Sequence, residues 1–154
     1  MTTTSYAIAL GSNRRTRFGA PRATLMAAIA AMGGVVAQAQ VLESAPIGPS
    51  RRRFANGVVL IETAESPPEL LTRLKGIEAA FGRRRGQRWG ARAIDLDIIW
   101  WSAGCWASRD LVIPHPAFRE RAFVVGPLAQ LIPDARDPVS GLTMRQLAAR
   151  LARG

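Results

Sequence analysis

The order in which strand-like and helical patterns alternate limits the folds open to this chain more than any other feature. The apolar run Tyr6–Leu10 ends in a Gly-Ser-Asn loop, which predicts a buried strand. Pro21 begins a helical pattern that two glycines end. Residues 35–44 alternate between apolar and polar side chains and predict a half-buried strand, and residues 57–63 predict another.

A capping box marks the clearest helix, because Ser66 is followed three residues later by Glu69, with proline in the first turn. Leucine, isoleucine and phenylalanine then recur at helical spacing until Gly82. Residues 93–101 predict the next strand.

The C-terminal third predicts a short strand at 111–114 and a helix at 122–131 that Pro127 interrupts. A final helix begins at a second capping box, Thr143. The order β-α-β-β-α-β with C-terminal helices predicts an α+β fold: a ferredoxin-like antiparallel sheet flanked by helices, as a single domain over residues 1–154.

Composition narrows the class of protein. The 154 residues are 48% apolar and carry a net charge of +10, which indicates a folded domain rather than a disordered chain. Lys75 is the only lysine, so the excess is arginine; it reflects either base composition or a polyanionic partner. The single cysteine, Cys105, allows no internal disulfide, and no apolar run is long enough for a membrane span, so we expect a cytoplasmic protein without a membrane partner.

The charge reverses abruptly after the basic segment 83–92. Asp95 and Asp97 lie two residues apart in a predicted strand and therefore share one face, opposite Ile94, Leu96, Ile98 and Trp100. Two neighbouring carboxylates repel each other unless a cation lies beside them. Salt bridges to nearby arginines would meet this need, and so would a magnesium site that bridges substrate phosphates.

His115, the only histidine, follows a proline and precedes Arg119, Arg121 and Phe123. It is either a structural residue or a phosphate donor in that basic cluster. The sequence has neither a G-x-x-x-x-G-K-[ST] loop nor a G-x-G-x-x-G motif, and no plausible nucleophilic triad.

Several blocks together resemble the 6-hydroxymethyl-7,8-dihydropterin pyrophosphokinase family. They span most of the chain in the family's order: A-L-G-S-N (9–13), A-P-I-G (45–48), F-A-N (54–56), I-E (77–78), G-R-R-R (82–85), R-W-G-A-R-A-I-D-L-D-I-I (88–99) and P-H-P-x-x-x-x-R-x-F (114–123).

The resemblance implies transfer of the terminal diphosphate of ATP to the pterin hydroxymethyl oxygen, with release of AMP, in folate biosynthesis. Asp95 and Asp97 would bind two magnesium ions and, with Arg83 and Arg92, form the catalytic group. The implied ATP-binding residues are Glu78, Arg85, Arg88, Trp89, Arg92, Ile98, His115 and Arg121. The implied pterin-binding residues are Ser44, Pro46, Ile47, Phe54, Asn56, Asp95 and Phe123.

We expect a monomer whose partners are ATP and the pterin, with no nucleic acid. The alternative is a basic ferredoxin-like module that binds RNA on its sheet. Against that alternative, the predicted sheet face presents two aspartates, which would repel a phosphate backbone in the absence of metal.

Overall fold

The computed structural model describes residues 2–44, 54–82 and 93–154. Along the chain the elements are β1 (Thr4–Ser12), α1 (Pro21–Met32), β2 (Val35–Gln38), β3 (Leu42–Ser44), β4 (Phe54–Thr63), α2 (Pro67–Ala80), β5 (Asp95–Trp101), β6 (Trp106–Ala107), β7 (Val112–Ile113), a 3-10 turn (Phe118–Glu120), α3 (Ala122–Leu131) and α4 (Met144–Arg153). The predicted order is confirmed except that the strand predicted over residues 35–44 is two strands and that β6 was not predicted.

The main sheet is antiparallel and has the order β2-β4-β1-β5, with β3 paired to β4 beyond the end of β2. Its centre is the long pairing of β1 with β4, which runs from Thr4 opposite Thr63 to Ser12 opposite Ala55. β6 and β7 form a separate two-stranded hairpin. This topology is that of a ferredoxin-like domain.

Helices cover both faces of the sheet. α1 and α2 bury leucines such as Leu25 and Leu70 against Ile8, Ile61 and other strand residues. α3 and α4 form a second core on the opposite face, where Leu128 and Met144 are fully buried. No helix within the three described ranges is long and apolar enough to cross a lipid bilayer.

Both predicted capping boxes are present. The N–H of Ser66 donates to Glu69 Oε1 at 2.9 Å, and the N–H of Glu69 donates to Ser66 Oγ at 3.4 Å. Thr143 and Gln146 make the same reciprocal pair, at 2.9 and 3.1 Å. Each box satisfies two N–H groups that the first turn of a helix leaves without helical partners.

The predicted strand over residues 35–44 is wrong as a single element, because it divides into β2 and β3. The pairing of β2 with β4 shifts register between Val35 and Ala37. Ala39, beyond β2, is buried and donates its N–H to Val58 O at 3.0 Å. An irregular edge bends in this way because one strand carries an extra residue against its partner.

The predicted interruption at Pro127 is also wrong, because α3 runs through it to Leu131. Proline removes one helical hydrogen bond and crowds the preceding turn, at a cost of about 3 kcal/mol. Val124, Val125, Pro127 and Leu128 are all buried, and this burial offsets the cost.

A bulge in β5 corrects the prediction for Trp100. Ala7 pairs with Trp100 and Ile8 with Ile98, so Ile99 has no opposite residue in β1. Ile99 and Trp100 therefore both pack toward α3 and α4, while Trp101 packs toward α1 and α2. Leu96 and Ile98, before the bulge, face α1 and α2 as predicted.

Candidate active site

The floor of the site is one face of the sheet where its three adjacent strands β4, β1 and β5 lie side by side. Gly11 in β1 pairs with Asn56 on one side and with Asp95 on the other. One row further along, Ala9 pairs with Asp97. Because glycine and alanine occupy the central strand, the polar side chains of the outer strands border an open space rather than a packed core.

A cavity of about 580 Å³ lies above this floor, which is within the usual range for small-molecule sites. The start of α3 forms its wall with Arg121, Phe123 and Val124, and Ser44 of β3 borders it at the edge. Seven predicted site residues line the cavity together: Ser44, Phe54, Asn56, Asp95, Asp97, Arg121 and Phe123.

The two aspartates differ in their surroundings. Asp97 is exposed and Asp95 is half-buried, while Leu96 and Ile98 between and beyond them are buried on the opposite face. The ion pairs of the described ranges join Arg73 to Glu65, Arg119 to Asp137 and Arg145 to Asp134, and none of them involves Asp97. The neighbouring arginines of the salt-bridge alternative, in the segment 83–92, lie outside the described residues, so that alternative stays a prediction.

The donor set here suits magnesium better than zinc. Among the described residues, no group of three or more His, Cys, Asp or Glu side chains could enclose a metal ion. Magnesium binds through one or two carboxylates and completes its shell with water and phosphate oxygens, so an open pair of aspartates beside a cavity fits it.

His115 lies within electrostatic reach of Asp97, and its backbone is bonded to β5 at the bulge. Its N–H donates to the carbonyl oxygen of Ile99, the unpaired residue, at 3.0 Å. Its Nδ1 accepts the N–H of Ala117 at 3.1 Å, so the neutral ring carries its proton on Nε2. Burial lowers the pKa of His115; the carboxylate of Asp97 opposes this shift and Arg121 adds to it.

Three predicted ATP-binding residues are not part of the cavity lining: His115, Ile98 and Glu78. Ile98 is buried in the core under α1 and α2. Glu78 is buried in α2 and accepts the N–H of Leu96 at 2.9 Å, which joins that helix to β5. An ATP-binding role for each of the three stays a prediction.

Other predicted site residues lie outside the described residues: Pro46, Ile47, Arg83, Arg85, Arg88, Trp89 and Arg92. Conversely, sequence reasoning assigned no role to Ala9, Gly11 and Asn13, which line the cavity. The Gly-Ser-Asn exit of the first strand was the available signal, because glycine in a strand often marks close approach to a ligand or another backbone.

The fold and the cavity define a class: an α+β enzyme domain whose small-molecule site combines a carboxylate pair, a basic side chain and aromatic rings. The model of the 7,8-dihydro-6-hydroxymethylpterin-pyrophosphokinase family matches residues 7–133. The chain belongs to that family. The predicted family and the predicted α+β fold class are both confirmed.

Relatives agree with this assignment. The chain is 44% identical over 104 residues to a 2-amino-4-hydroxy-6-hydroxymethyldihydropteridine pyrophosphokinase of Synechocystis, with 68% of this chain and 53% of that protein covered. It is 39% identical over 137 residues to a protein of the same name from Pseudomonas aeruginosa, with 85% and 82% covered. The matched part thus spans about half of the first relative and most of the second.

A solved structure shares the fold. The crystal structure of Plasmodium falciparum HPPK-DHPS superimposes with a TM-score of 0.70 at 14% identity, over 97% of this chain and 44% of that one. The predicted pyrophosphokinase function agrees with the family description and with the names of the two relatives.

Proposed function

We propose that this protein transfers the diphosphate of ATP to the hydroxymethyl group of 6-hydroxymethyl-7,8-dihydropterin, with release of AMP, in folate biosynthesis. One observation carries the proposal: a single cavity joins a carboxylate pair to two aromatic rings and an amide. The carboxylates suit a metal–polyphosphate complex, and the rings with the amide suit a flat heterocycle.

Asp95 and Asp97 would hold two magnesium ions against the triphosphate. Their place in the lining of one cavity and the hard oxygen chemistry of both side chains support this role. When bound, the metal ions neutralise charge that develops on the phosphate oxygens. Asp95, which pairs with Gly11 opposite Asn56, would also meet the edge of the pterin.

Arg121 and His115 would bind the transferred phosphates. Arg121 lines the cavity at the start of α3, and a guanidinium presents a planar pair of donors that matches a phosphate. Neutral His115 would donate from Nε2, since its Nδ1 already accepts the Ala117 N–H. Both residues position the phosphates and neutralise their charge without forming a covalent bond.

Phe54 and Phe123 would stack on the pterin, one from β4 and one from α3. Asn56 would bind the ring edge, because its amide both donates and accepts. Gly11 leaves room for this amide, since a Cβ there would lie 3.3 Å from Asn56 Oδ1. Ser44, opposite Phe54 in the β3–β4 pair, would complete the pterin pocket.

In the reaction, the pterin hydroxymethyl oxygen would attack the β-phosphorus of ATP. The residues of this chain act by orientation and charge: the stacking rings fix the acceptor, and the basic side chains fix the diphosphate. Holding the two reactants in the reactive geometry by itself lowers the activation barrier substantially. Exclusion of water from the closed site would prevent hydrolysis of ATP.

The decisive assay is release of AMP from ATP and magnesium that depends on added 6-hydroxymethyl-7,8-dihydropterin. Asp97→Ala should abolish turnover and leave the free energy of unfolding unchanged. Asp134→Ala is the matched control, because Asp134 is 79% exposed and pairs only with the exposed Arg145. Wild-type rates from Asp97→Ala, or AMP release without the pterin, would refute the proposal.

The proposal includes a monomeric, cytoplasmic enzyme. A lone exposed cysteine, Cys105, is compatible with a reducing compartment. Light scattering at micromolar concentration tests the first statement, and fractionation of the source cells tests the second.

A further inference from the structure

Asp137, in the segment between α3 and α4, is a buried carboxylate outside the cavity. Its side chain is fully buried, yet five donors reach it. Arg119 donates from Nε and Nη2, the latter at 2.7 Å to Oδ1. The N–H groups of Val139 and Ser140 and the Ser140 hydroxyl, at 2.6 Å, supply the others. A carboxylate held by this many donors occupies one fixed position.

Arg119 is the only member of this group that belongs to the segment leading into the cavity wall. It lies in the 3-10 turn, and its guanidinium stacks at 4.7 Å from the ring centre of Phe118, which is itself fully buried. Nε and Nη2 of Arg119 both donate to the Asp137 carboxylate, so these two donors are not available to a ligand. Arg121, two residues later, lines the cavity instead.

Backbone hydrogen bonds connect this turn to the site residues on both sides. The N–H of Phe118 donates to His115 O, and the N–H of Arg121 donates to Phe118 O. The N–H groups of Val124 and Val125 both donate to Arg121 O at 2.9 Å. No side chain caps α3, so its first turn takes its orientation from the 3-10 turn before it.

We propose that the Arg119–Asp137 pair is a positioning device for the active site, which sets the placement of Arg121 and Phe123 without touching substrate. The inference rests on the proposed function, because it assigns a purpose to those two side chains. The pair joins the segment before α3 to the segment after it, and thereby fixes the angle at which the first turn of α3 meets the cavity.

The fork of arginine is essential to this role. A bidentate pair fixes the direction of the side chain as well as its distance, whereas lysine makes a point contact. With a lysine at position 119, the 3-10 turn could shift sideways relative to Asp137, and Arg121 and Phe123 would shift with it. A displaced Phe123 ring stacks less well on the pterin, so the loss should appear mainly in the KM for the pterin.

Arg119→Lys tests the proposal, with Arg73→Lys as the matched control. Arg73, a residue of α2, likewise donates two hydrogen bonds to a carboxylate, that of Glu65. It donates in addition to the backbone carbonyl of Met32, and it is not part of the cavity lining. We expect Arg119→Lys to raise the KM for the pterin roughly tenfold, with a smaller change in kcat. Arg73→Lys should lower the Tm comparably and leave that KM unchanged. Equal KM values in the two variants would overturn the proposal.

Hydrogen exchange gives a measurement that does not depend on activity. The amides of Val124 and Val125, bonded to Arg121 O, should exchange faster in Arg119→Lys than in wild type and stay unchanged in Arg73→Lys. Unchanged exchange in Arg119→Lys would refute the positioning role. If that variant does not fold, Ser140→Ala removes one donor to Asp137 and should give the same pattern at smaller size. Failure of the proposed function would show differently, as wild-type protein that releases no AMP.

Discussion

Removal of the charge of Asp137 should change how stability depends on pH. Arginine and hydroxyl donors hold the pKa of Asp137 at about 2, against the opposing effect of burial and below an ordinary value of 3.8. Since each pKa unit corresponds to about 1.36 kcal/mol, the ionised carboxylate contributes roughly 2 kcal/mol of stability at neutral pH. The folded state binds the proton less tightly, so this contribution is complete above pH 3.8 and is lost as the pH falls toward 2.

The assay is urea unfolding of wild type and Asp137→Asn at several pH values between about 6 and 2. The difference in unfolding free energy between them should be largest near pH 6 and shrink by roughly 2 kcal/mol at the acid end. Asp134→Asn is the control, because its partner Arg145 is exposed and such pairs contribute at most about 1 kcal/mol. A difference for Asp137→Asn that stays constant with pH would refute the assignment of the low pKa.

Three further predictions concern the cavity and its support. Phe123→Ala should weaken pterin binding, measured by fluorescence, about tenfold more than it weakens binding of an ATP analogue, measured by calorimetry. The control Phe18→Ala, at an exposed ring outside the cavity lining, should affect neither ligand, and equal losses for both ligands in Phe123→Ala would refute the stacking role. Gly11→Ala should raise the pterin KM because its Cβ would crowd Asn56 Oδ1, whereas Gly76→Ala, with open space around it in α2, should only raise stability by about 0.5–1 kcal/mol. Glu78→Ala should lower the free energy of unfolding by about 1–3 kcal/mol, because the buried N–H of Leu96 loses its acceptor. If the denaturation midpoint is unchanged and ATP binding is weakened, Glu78 has the ATP-binding role instead.

Sequence patterns between residues close together in the chain were enough to predict most of the helices and strands. Apolar spacing and the two capping boxes located α2 and α4, because each depends on residues within one or two turns of each other. The errors arose where distant contacts decide. The bend between β2 and β3 depends on Val58 in another strand, and the continuity of α3 through Pro127 depends on burial against the sheet.

In the candidate site, too, the features set by neighbouring residues were predictable and those set by distant contacts were not. Alternation along one strand was enough to place Asp95 and Asp97 on a shared face, since only neighbouring residues are involved. Composition alone does not separate Arg119 from Arg121, two arginines of one basic cluster, whereas the family resemblance assigned the ATP-binding role to Arg121 alone. Asp137 lies 18 residues after Arg119, and only the folded chain pairs the first arginine with it and leaves the second at the cavity.

The bulge at Ile99 shows how a departure from regular pairing can organise a site. A regular β5 would turn Trp100 toward α1 and α2, because successive side chains of a strand point to opposite faces. The bulge instead leaves Ile99 without an opposite residue in β1, and the Ile99 carbonyl accepts the N–H of His115. His115 then lies within electrostatic reach of both Asp97 and Arg121. The irregular residue therefore links the proposed metal-binding strand to the proposed phosphate-binding segment, and its apolar side chain in the sequence carries no sign of this role.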